Sequence, residues 1–425
     1  MQALKKEKAN RIKGLSYWLA CISVFLYIVS AIAFEITKET AFISSFAIYF
    51  VFVIGLFYVI QNNKLIINEY VFLLLFLCMY IYFSTIGKIT SNTLGLTVAY
   101  YELTCAIVCI FVFWLSSKYS NVIPLAMIAY VLGAIILSVR VLAEYGGIRE
   151  LIEFASEGED NRVGGLLGNE NAIGLFLANG ILCCLIFSFK SKRLLVKIAL
   201  LFAVFSLGVL VLLTGSRKSL AFVLIGIVLI VFANYRKAKI GKKFFAFLVM
   251  MALLAVVYSV IGSLPMFATI NERLNLLFEG FFGGKSNYSS DEFRKMMIEE
   301  GLVAFYEKPI FGHGAGYSYV LFGTYSHNNF VELLMNYGLV GFVLYYGMYA
   351  VLVIKLLAQV NKRNANSKGS DIYAIYFLIY IGVQLILGIG WVNYYDRPVQ
   401  IVTALAFGYL FAKSKEAKGK TQYET

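Results

Sequence analysis

The side chains in this sequence that are best suited to chemistry are three arginines and one of the two histidines. Arg162 follows an acidic stretch, Arg217 lies in a short turn between two apolar runs, and Arg294 falls early in a predicted helix. A guanidinium group binds phosphate oxygens through paired hydrogen bonds, so each arginine could hold an anion. His327 stands where a polar loop meets an apolar run, and imidazole is the side chain whose pKa lies nearest to neutral. These residues predict anion binding combined with proton transfer from a hydroxyl group.

The same arginines have structural explanations that the sequence leaves open. Arg294 could pair with Asp291, three residues earlier on its helix. Arg217 must find an anion in the protein, in a lipid headgroup or in a substrate, and simple extension toward headgroups would satisfy it. Arg162 could form an ion pair inside its own loop. The acidic residues of that loop are Glu157, Glu159 and Asp160.

The second histidine and two carboxylates complete the set of candidates. His327 would be a simple junction residue if one of its neighbours caps the following helix. His313 lies inside a glycine-rich turn, where a structural role is expected. Glu332 falls one turn into the next apolar run and could orient His327 or pair with Arg217. Glu102 is the one carboxylate well inside an apolar run, where burial of charge is costly, and it is a secondary functional candidate.

The composition indicates a membrane protein whose helices must position these residues. Hydrophobic residues make up 60% of the 425 positions and charged residues 14%, whereas about a quarter of a soluble domain is charged. Apolar runs recur that are long enough to cross a hydrocarbon layer of about 30 Å as helices. We place the spans at residues 15–34, 41–60, 70–87, 96–115, 122–143, 169–189, 198–214, 219–235, 244–262, 329–354, 372–390 and 399–412. The predicted fold is an all-α polytopic membrane protein with about twelve transmembrane helices.

The distribution of lysine and arginine orients the predicted spans, because these residues concentrate in cytoplasmic loops. With the N-terminus inside, the cytoplasmic stretches are residues 1–14, 61–69, 116–121, 190–197, 236–243, 355–371 and 413–425. They hold 24 of the 37 basic residues but only 5 of the 24 acidic ones. Both termini are therefore predicted in the cytoplasm. The outer face would carry a shorter loop at 144–168 and a long loop with short helices at 263–327.

The chain is interpreted as a single transmembrane domain over residues 1–425. The first apolar run is too long for the core of a cleavable signal peptide and is expected to remain as the first helix. All six cysteines fall inside predicted spans, which favours core packing over disulfides or a zinc site. The net charge of +13 is explained by the basic residues of the cytoplasmic stretches and suits contact with anionic lipid. It does not indicate a nucleic-acid partner.

Three ordered stretches carry a resemblance to a known family. Residues 162–172 contain an arginine, a glycine and an Asn-x-Asn-Ala sequence at Asn169 and Asn171, and residues 213–219 contain Thr-Gly-Ser-Arg. The third stretch reads Pro-Ile-Phe-Gly-x-Gly from residue 309, followed from residue 327 by His-Asn-x-Phe-x-Glu-Leu and then Tyr-Gly-x-x-Gly. These stretches resemble the bacterial O-antigen ligase and O-antigen polymerase superfamily of lipid-linked glycan transferases. The likeness covers about residues 162–345, whereas the first five spans match only in hydropathy.

The resemblance implies a metal-independent membrane glycosyltransferase that uses no cofactor and lies in the bacterial cytoplasmic (inner) membrane. It would transfer an oligosaccharide from undecaprenyl diphosphate to a sugar hydroxyl at the outer face. His327, Arg217 and Arg294 would be catalytic. The expected substrate-binding residues are Arg162, Asn169, Asn171, Asn328, Glu332 and Glu102. The expected partners are the lipid-linked oligosaccharide, the lipid bilayer, and a chain-length regulator and flippase of the same pathway, with no nucleic acid.

The preferred function is a polymerase of lipid-linked repeat units of O-antigen or capsular polysaccharide, because the likeness outside the motifs is loose. An O-antigen ligase that transfers the glycan to lipid A-core is the first alternative. A non-enzymatic transporter or flippase of lipid-linked sugars is the second, although it would line a central passage with charged side chains at mid-membrane depth. The polar residues here gather instead in loops and at span ends. A membrane scaffold is a third alternative.

Overall fold

The computed structural model describes residues 2–35, 37, 39–62, 66–86, 88, 93–119, 121–157, 161–234, 240–281, 289–365 and 371–421. Within these residues the chain forms helices and no strand. The helices are α1 (Gln2–Ala33), α2 (Ala41–Asn62), α3 (Glu69–Thr85), α4 (Thr93–Lys118), α5 (Val122–Glu144), α6 (Ile148–Ser156), α7 (Glu170–Lys190), α8 (Leu194–Leu213), α9 (Arg217–Asn234), α10 (Ile240–Ser263), α11 (Ala268–Phe281), α12 (Ser289–Glu307), α13 (Tyr317–Phe322), α14 (Asn329–Ala365), α15 (Ile372–Leu387) and α16 (Arg397–Thr421). Short 3-10 helices lie at Gly165–Leu167 and Pro265–Phe267.

Each of the twelve predicted spans coincides with one of these helices. Within the described residues, 6 helices are long and apolar enough to cross a membrane. They lie at Ala41–Gln61, Gly95–Lys118, Val122–Glu144, Glu170–Lys190, Leu194–Leu213 and Asn329–Asn361. Shorter apolar helices lie at Tyr17–Ala33, Glu69–Thr85 and Ile372–Leu387. The chain is therefore a multi-pass membrane protein, while the number of twelve spans and their orientation remain predictions.

Small residues determine how closely the central helices pack. An added Cβ at Gly408 of α16 would overlap Ser116 of α4, and one at Gly180 of α7 would overlap Ala134 of α5. Close backbone approach of this kind stabilises membrane helix pairs, because lipid tails provide no hydrophobic drive for helices to associate. All six cysteines are buried with free thiols, as expected of small core residues. The packed centre provides a fixed frame for the loops at the helix ends.

Backbone contacts bring several of these loops together at one end of the bundle. The N–H of Val163, before α7, donates to the carbonyl of Leu213 at the end of α8 over 3.0 Å. The N–H of Asn329, at the start of α14, donates to the carbonyl of Gly388 after α15 over 2.8 Å. We call this the site end; it comprises the described parts of residues 145–169, 214–216, 323–328 and 388–396.

The predicted long loop is largely helical where the structure describes it. The predicted helix that carries Arg294 is confirmed as α12, which ends two residues before Pro309. Proline disfavours a helical conformation in the residue before it, which is consistent with this end point. Helix α13 is bounded by Gly316 and Gly323, whose φ angles of 74° and 71° are left-handed and suit glycine. Helix α12 packs against α14, and four residues connect the end of α13 to His327.

The long helix α14 is broken at Gly338, whose φ of 63° and ψ of −165° are not helical. The break leaves backbone N–H and C=O groups without helical partners. These groups form hydrogen bonds with residues 309–314, which lead into and include part of the glycine-rich turn. The N–H groups of His313 and Gly314 donate to the carbonyls of Met335 and Asn336 over 3.0 and 2.7 Å. In return, the N–H groups of Leu339 and Val340 donate to the carbonyls of Pro309 and Ile310 over 2.8 and 3.2 Å. A break in an apolar helix is stable when other protein groups satisfy its backbone in this way.

We expect Gly312→Ala and Gly338→Ala each to lower the unfolding temperature. Both glycines have left-handed φ, and an added Cβ would overlap the Asn336 or Ile310 carbonyl. The expected cost is about 1–3 kcal/mol or more. Gly347→Ala, also in α14, is the matched control, because nothing lies within 4 Å of an added Cβ there. Thermal unfolding of the solubilised protein measures the effect; equal unfolding temperatures for all three variants would contradict it.

Candidate functional site

Arg162 is held at the site end by neutral groups and one carboxylate. Its Nε donates to the Thr214 carbonyl over 3.1 Å, and its Nη2 donates to Asn171 Oδ1 over 3.1 Å. Its Nη1 lies 3.3 Å from Glu170 Oε2. The ion pair is therefore made with Glu170 at the start of α7. Of the acidic residues suggested as partners by the sequence, Glu159 and Asp160 lie outside the described residues.

The turn between α8 and α9 links three segments of the chain. Ser216 Oγ donates to Asn171 Oδ1 over 3.0 Å, so this amide oxygen accepts from both Ser216 and Arg162. Gly215 adopts a left-handed φ of 60°. Its carbonyl accepts from Nη1 of Arg273, on α11, over 3.0 Å. The sequence predictions missed Arg273, because a bond to a turn carbonyl leaves no signal in sequence spacing.

The resulting cluster contains five cations. Arg162 interacts electrostatically with Arg273, Arg294 and Arg217. Burial, reinforced by these cations, lowers its pKa, and the nearby Glu170 opposes the shift. Lys218, the fifth cation, lies near all four arginines, and its Nζ donates to the Gly390 carbonyl. Lys218 was also missed by the sequence predictions.

We call this group the cation cluster; its members are Arg162, Arg217, Lys218, Arg273 and Arg294. Arg217 occupies the first turn of α9, where backbone N–H groups also favour an anion. Arg294 lies on α12, and the side chain of its suggested partner Asp291 lies outside the described side chains. The cluster thus draws cations from the loop before α7 and from α9, α11 and α12. Its geometry suits an anion with several charged oxygens.

His327 lies beside the cation cluster in an unusual backbone conformation. It is the only non-glycine residue in the described part of the chain with a positive φ, at 57°. Its ring contacts that of Tyr325, with 4.1 Å between the centroids. Partial burial and the nearby charges of Arg294 and Lys218 lower its pKa to about 4. The imidazole is therefore neutral at pH 7 and able to accept a proton, although it is a weaker base than a free histidine.

Glu332 binds the residue before His327. The N–H and Oγ of Ser326 donate to Glu332 Oε2 over 2.7 and 2.9 Å. The sequence left open whether Glu332 orients His327 or pairs with Arg217, and these contacts place its carboxylate on the turn that carries His327. Glu332 is buried, with 1% of its surface exposed.

The predicted asparagines differ in what their side chains contact. Asn171 lies inside the site, between Arg162 and Ser216. Asn169 caps α7, since its Oδ1 accepts from the N–H of Ala172 over 3.0 Å. Asn328 likewise caps α14 through two backbone N–H groups, at 3.0 and 3.1 Å. These caps account for Asn169 and Asn328 structurally, and a substrate contact for either remains a prediction.

Glu102 lies away from the cations, in the interior of the bundle. It is nearly fully buried on α4, and Tyr337 donates to its Oε1 over 3.4 Å. It lines a cavity of about 20 Å³ together with Cys78, Cys105, Cys109 and Tyr394. A space of that size holds about one water molecule and no sugar. The structure therefore does not bring Glu102 to the cation cluster, and its predicted substrate contact has no support here.

His313 has the structural role expected from its glycine-rich turn. It is buried, its Nε2 lies 2.8 Å from the Ala304 carbonyl, and its ring stacks on Tyr317 at 4.0 Å. Within the described residues, no group of three or more His, Cys, Asp or Glu side chains converges as a metal site requires. Metal independence remains a prediction.

Comparison with known families identifies part of the chain. Residues 201–346 match the family model described as O-antigen ligase. The match includes the second and third motifs, so it confirms for this segment the resemblance predicted from them. The first motif, with Arg162, precedes the matched segment. No curated protein matches the chain.

We expect Arg294→Gln to raise the pKa of His327 toward its ordinary value, because one of the cations that disfavour the imidazolium is removed. The chain has 2 histidines, so NMR of histidine-labelled protein in nanodiscs resolves the titration, with His327→Ala to assign it. Lys295→Gln is the matched control. Lys295 follows Arg294 in the chain, but its side chain is exposed and pairs with Glu299. An unchanged His327 titration in Arg294→Gln would show that the two groups do not interact.

Proposed function

We propose that this chain, which carries an O-antigen ligase domain at residues 201–346, is a membrane glycosyltransferase acting on lipid-linked oligosaccharide. It would transfer the glycan from undecaprenyl diphosphate to an acceptor sugar hydroxyl at the outer face of the bacterial inner membrane. The preferred form is a polymerase of O-antigen or capsular repeat units. An O-antigen ligase that uses lipid A-core as acceptor is the alternative, and the transfer assay with purified protein separates the two.

The observation that carries this proposal is the convergence of five cations in the cation cluster. Glu170 pairs with the cluster through Arg162. Three of the cations also donate to main-chain carbonyls: Arg162 to Thr214, Lys218 to Gly390 and Arg273 to Gly215. A carbonyl orients a cation without cancelling its charge, so the cluster retains attraction for an anion. A diphosphate supplies the several negative oxygens that such a group can bind.

The reaction follows from this arrangement. The bond between the anomeric carbon and the diphosphate oxygen breaks while the acceptor hydroxyl oxygen bonds to that carbon. The leaving diphosphate gains negative charge in the transition state, which the cation cluster stabilises. The proton of the acceptor hydroxyl passes to His327. The products are the extended glycan and the lipid diphosphate.

Donor binding would also strengthen the base. The charges of Arg294 and Lys218 contribute to the low pKa of His327 in the free protein. A bound diphosphate offsets those charges, so the pKa of His327 rises when the donor is present. The imidazole would accept a proton most readily when both substrates are in place. A chain-length regulator and a flippase of the same pathway are the protein partners this function predicts.

We expect His327→Ala to lower glycan transfer by about a hundredfold to ten-thousandfold, as loss of a general base does. Arg217→Ala should lower it by about a hundredfold or more, through loss of one charge stabiliser. Arg149→Ala is the control and should leave transfer unchanged, because this arginine is exposed and pairs with Glu153 on α6. The readout is polysaccharide chain length on gels from cells that lack the gene and carry each variant, with membrane levels matched.

The purified protein and a defined undecaprenyl-diphosphate donor separate the remaining functions. Chain growth on a second lipid-linked unit supports a polymerase, and transfer to lipid A-core supports a ligase. Movement of the donor across a vesicle bilayer without transfer would indicate a flippase and overturn the proposal. A normal polysaccharide ladder from His327→Ala would remove this residue from the mechanism.

A further inference from the structure

The backbone at His327 is held in a conformation that it would not adopt alone. A left-handed φ in a residue other than glycine costs about 1 kcal/mol or more, so surrounding contacts must maintain it. His327 is the only non-glycine residue with positive φ in the part of the chain that the structure describes. This conformation determines where the imidazole points relative to the cation cluster. The contacts that maintain it therefore bear on the proposed reaction.

The turn is fixed on its N-terminal side by Glu332. Ser326 gives both its N–H and its hydroxyl to Glu332 Oε2, at 2.7 and 2.9 Å. Ser326 Oγ also lies 2.9 Å from the Asn328 carbonyl, and the Asn328 N–H lies 3.3 Å from Ser326 Oγ. The two residues that flank His327 are thus bonded to each other, and the first of them is bonded to Glu332.

The turn is fixed on its C-terminal side by the start of α14. The Asn328 side chain caps the N–H groups of Phe330 and Val331, and the Asn328 carbonyl accepts from the Glu332 N–H over 2.9 Å. Asn329 Oδ1 accepts from the N–H groups of Asn393 and Tyr394 over 2.9 and 3.0 Å. Glu332 therefore reaches back from a rigid helix to the residue that precedes His327.

We propose that Glu332 is a positioning residue that holds His327 in its left-handed conformation through Ser326 and so aims the imidazole at the reacting hydroxyl. Only the statement that the imidazole is aimed at the reacting hydroxyl rests on the proposed function. Glu332 itself touches neither substrate nor the transferred proton. A carboxylate suits this task because its charge strengthens both bonds from Ser326, whereas an amide oxygen accepts only weaker neutral bonds and adds two buried N–H donors that need partners. Loss of the carboxylate would release the turn and let the imidazole rotate away.

The first test observes the imidazole without requiring activity. Full-length protein labelled at histidine gives resonances from His313 and His327 in lipid nanodiscs, assigned with His327→Ala. Glu332→Gln and Ser326→Ala are each expected to move the His327 resonance and leave that of His313 in place. Asp371→Asn is the matched control, because it removes another buried carboxylate that caps the start of α15. An unmoved His327 resonance in Glu332→Gln would overturn the proposal, whatever reaction the protein performs.

The second test uses a double-mutant cycle in the glycan-transfer assay. Glu332→Gln alone is expected to lower kcat by about tenfold to a hundredfold with little change in KM for the donor, as misplacement of a catalytic group does. In protein that already carries His327→Ala, the same change should have almost no further effect, because Glu332 acts through His327. Equal losses in both backgrounds would indicate general structural damage and overturn the positioning role. If wild-type protein transfers no glycan, the proposed function fails while the resonance test still decides the role of Glu332.

Discussion

The rest of the structure depends on the hydrogen bonds exchanged between the glycine-rich turn and the break in α14. A helix broken inside the bundle leaves donors and acceptors that lipid cannot satisfy, so the break is stable only where another segment supplies them. The turn does so in both directions, with bonds from His313 to Met335 and from Leu339 to Pro309. Because α12 and α13 flank this turn, the break fixes the segment that carries Arg294 and leads to His327. The motif glycines are required by this close backbone contact.

Main-chain carbonyls, which carry no net charge, help to explain how several like charges lie close together in the cation cluster. Mutual repulsion among the cations would disperse flexible side chains, yet main-chain carbonyls hold three of them in place. Each carbonyl belongs to a loop that other contacts fix: Thr214 and Gly215 to the turn after α8, and Gly390 to the loop after α15. Under the proposed function, a bound diphosphate would offset the mutual repulsion of these cations. Burial and the charges of Arg294 and Lys218 lower the pKa of His327, and the same diphosphate would offset those two charges.

Hydropathy alone predicted the positions of the main helices, since burial in lipid requires long apolar runs whatever the fold. The helix that carries Arg294 was also predicted from local sequence and was confirmed as α12. Contacts between distant segments could not be predicted from the sequence. Arg273 and Lys218 join the site by donating to the carbonyls of Gly215 and Gly390, which lie in loops far away in the chain. Glu102 stood out in the sequence for its cost in a membrane span, but the structure places it beside Tyr337 in the interior. The break at Gly338 was not predicted, because it depends on backbone contacts with the glycine-rich turn, a separate segment of the chain.

The loop between α15 and α16 completes the site although it carries none of the proposed catalytic side chains. Gly390 holds Lys218, and Gly388 together with Asn393 holds Asn329 at the start of α14. Chains are synthesised from the N-terminus, so these clamps are the last parts of the site to leave the ribosome. A nascent chain that has inserted α14 but not α16 therefore contains every member of the cation cluster and His327 but lacks the loop that holds Lys218 and Asn329. Under the proposed function, the newly made protein becomes competent only after this last loop has reached Lys218 and Asn329.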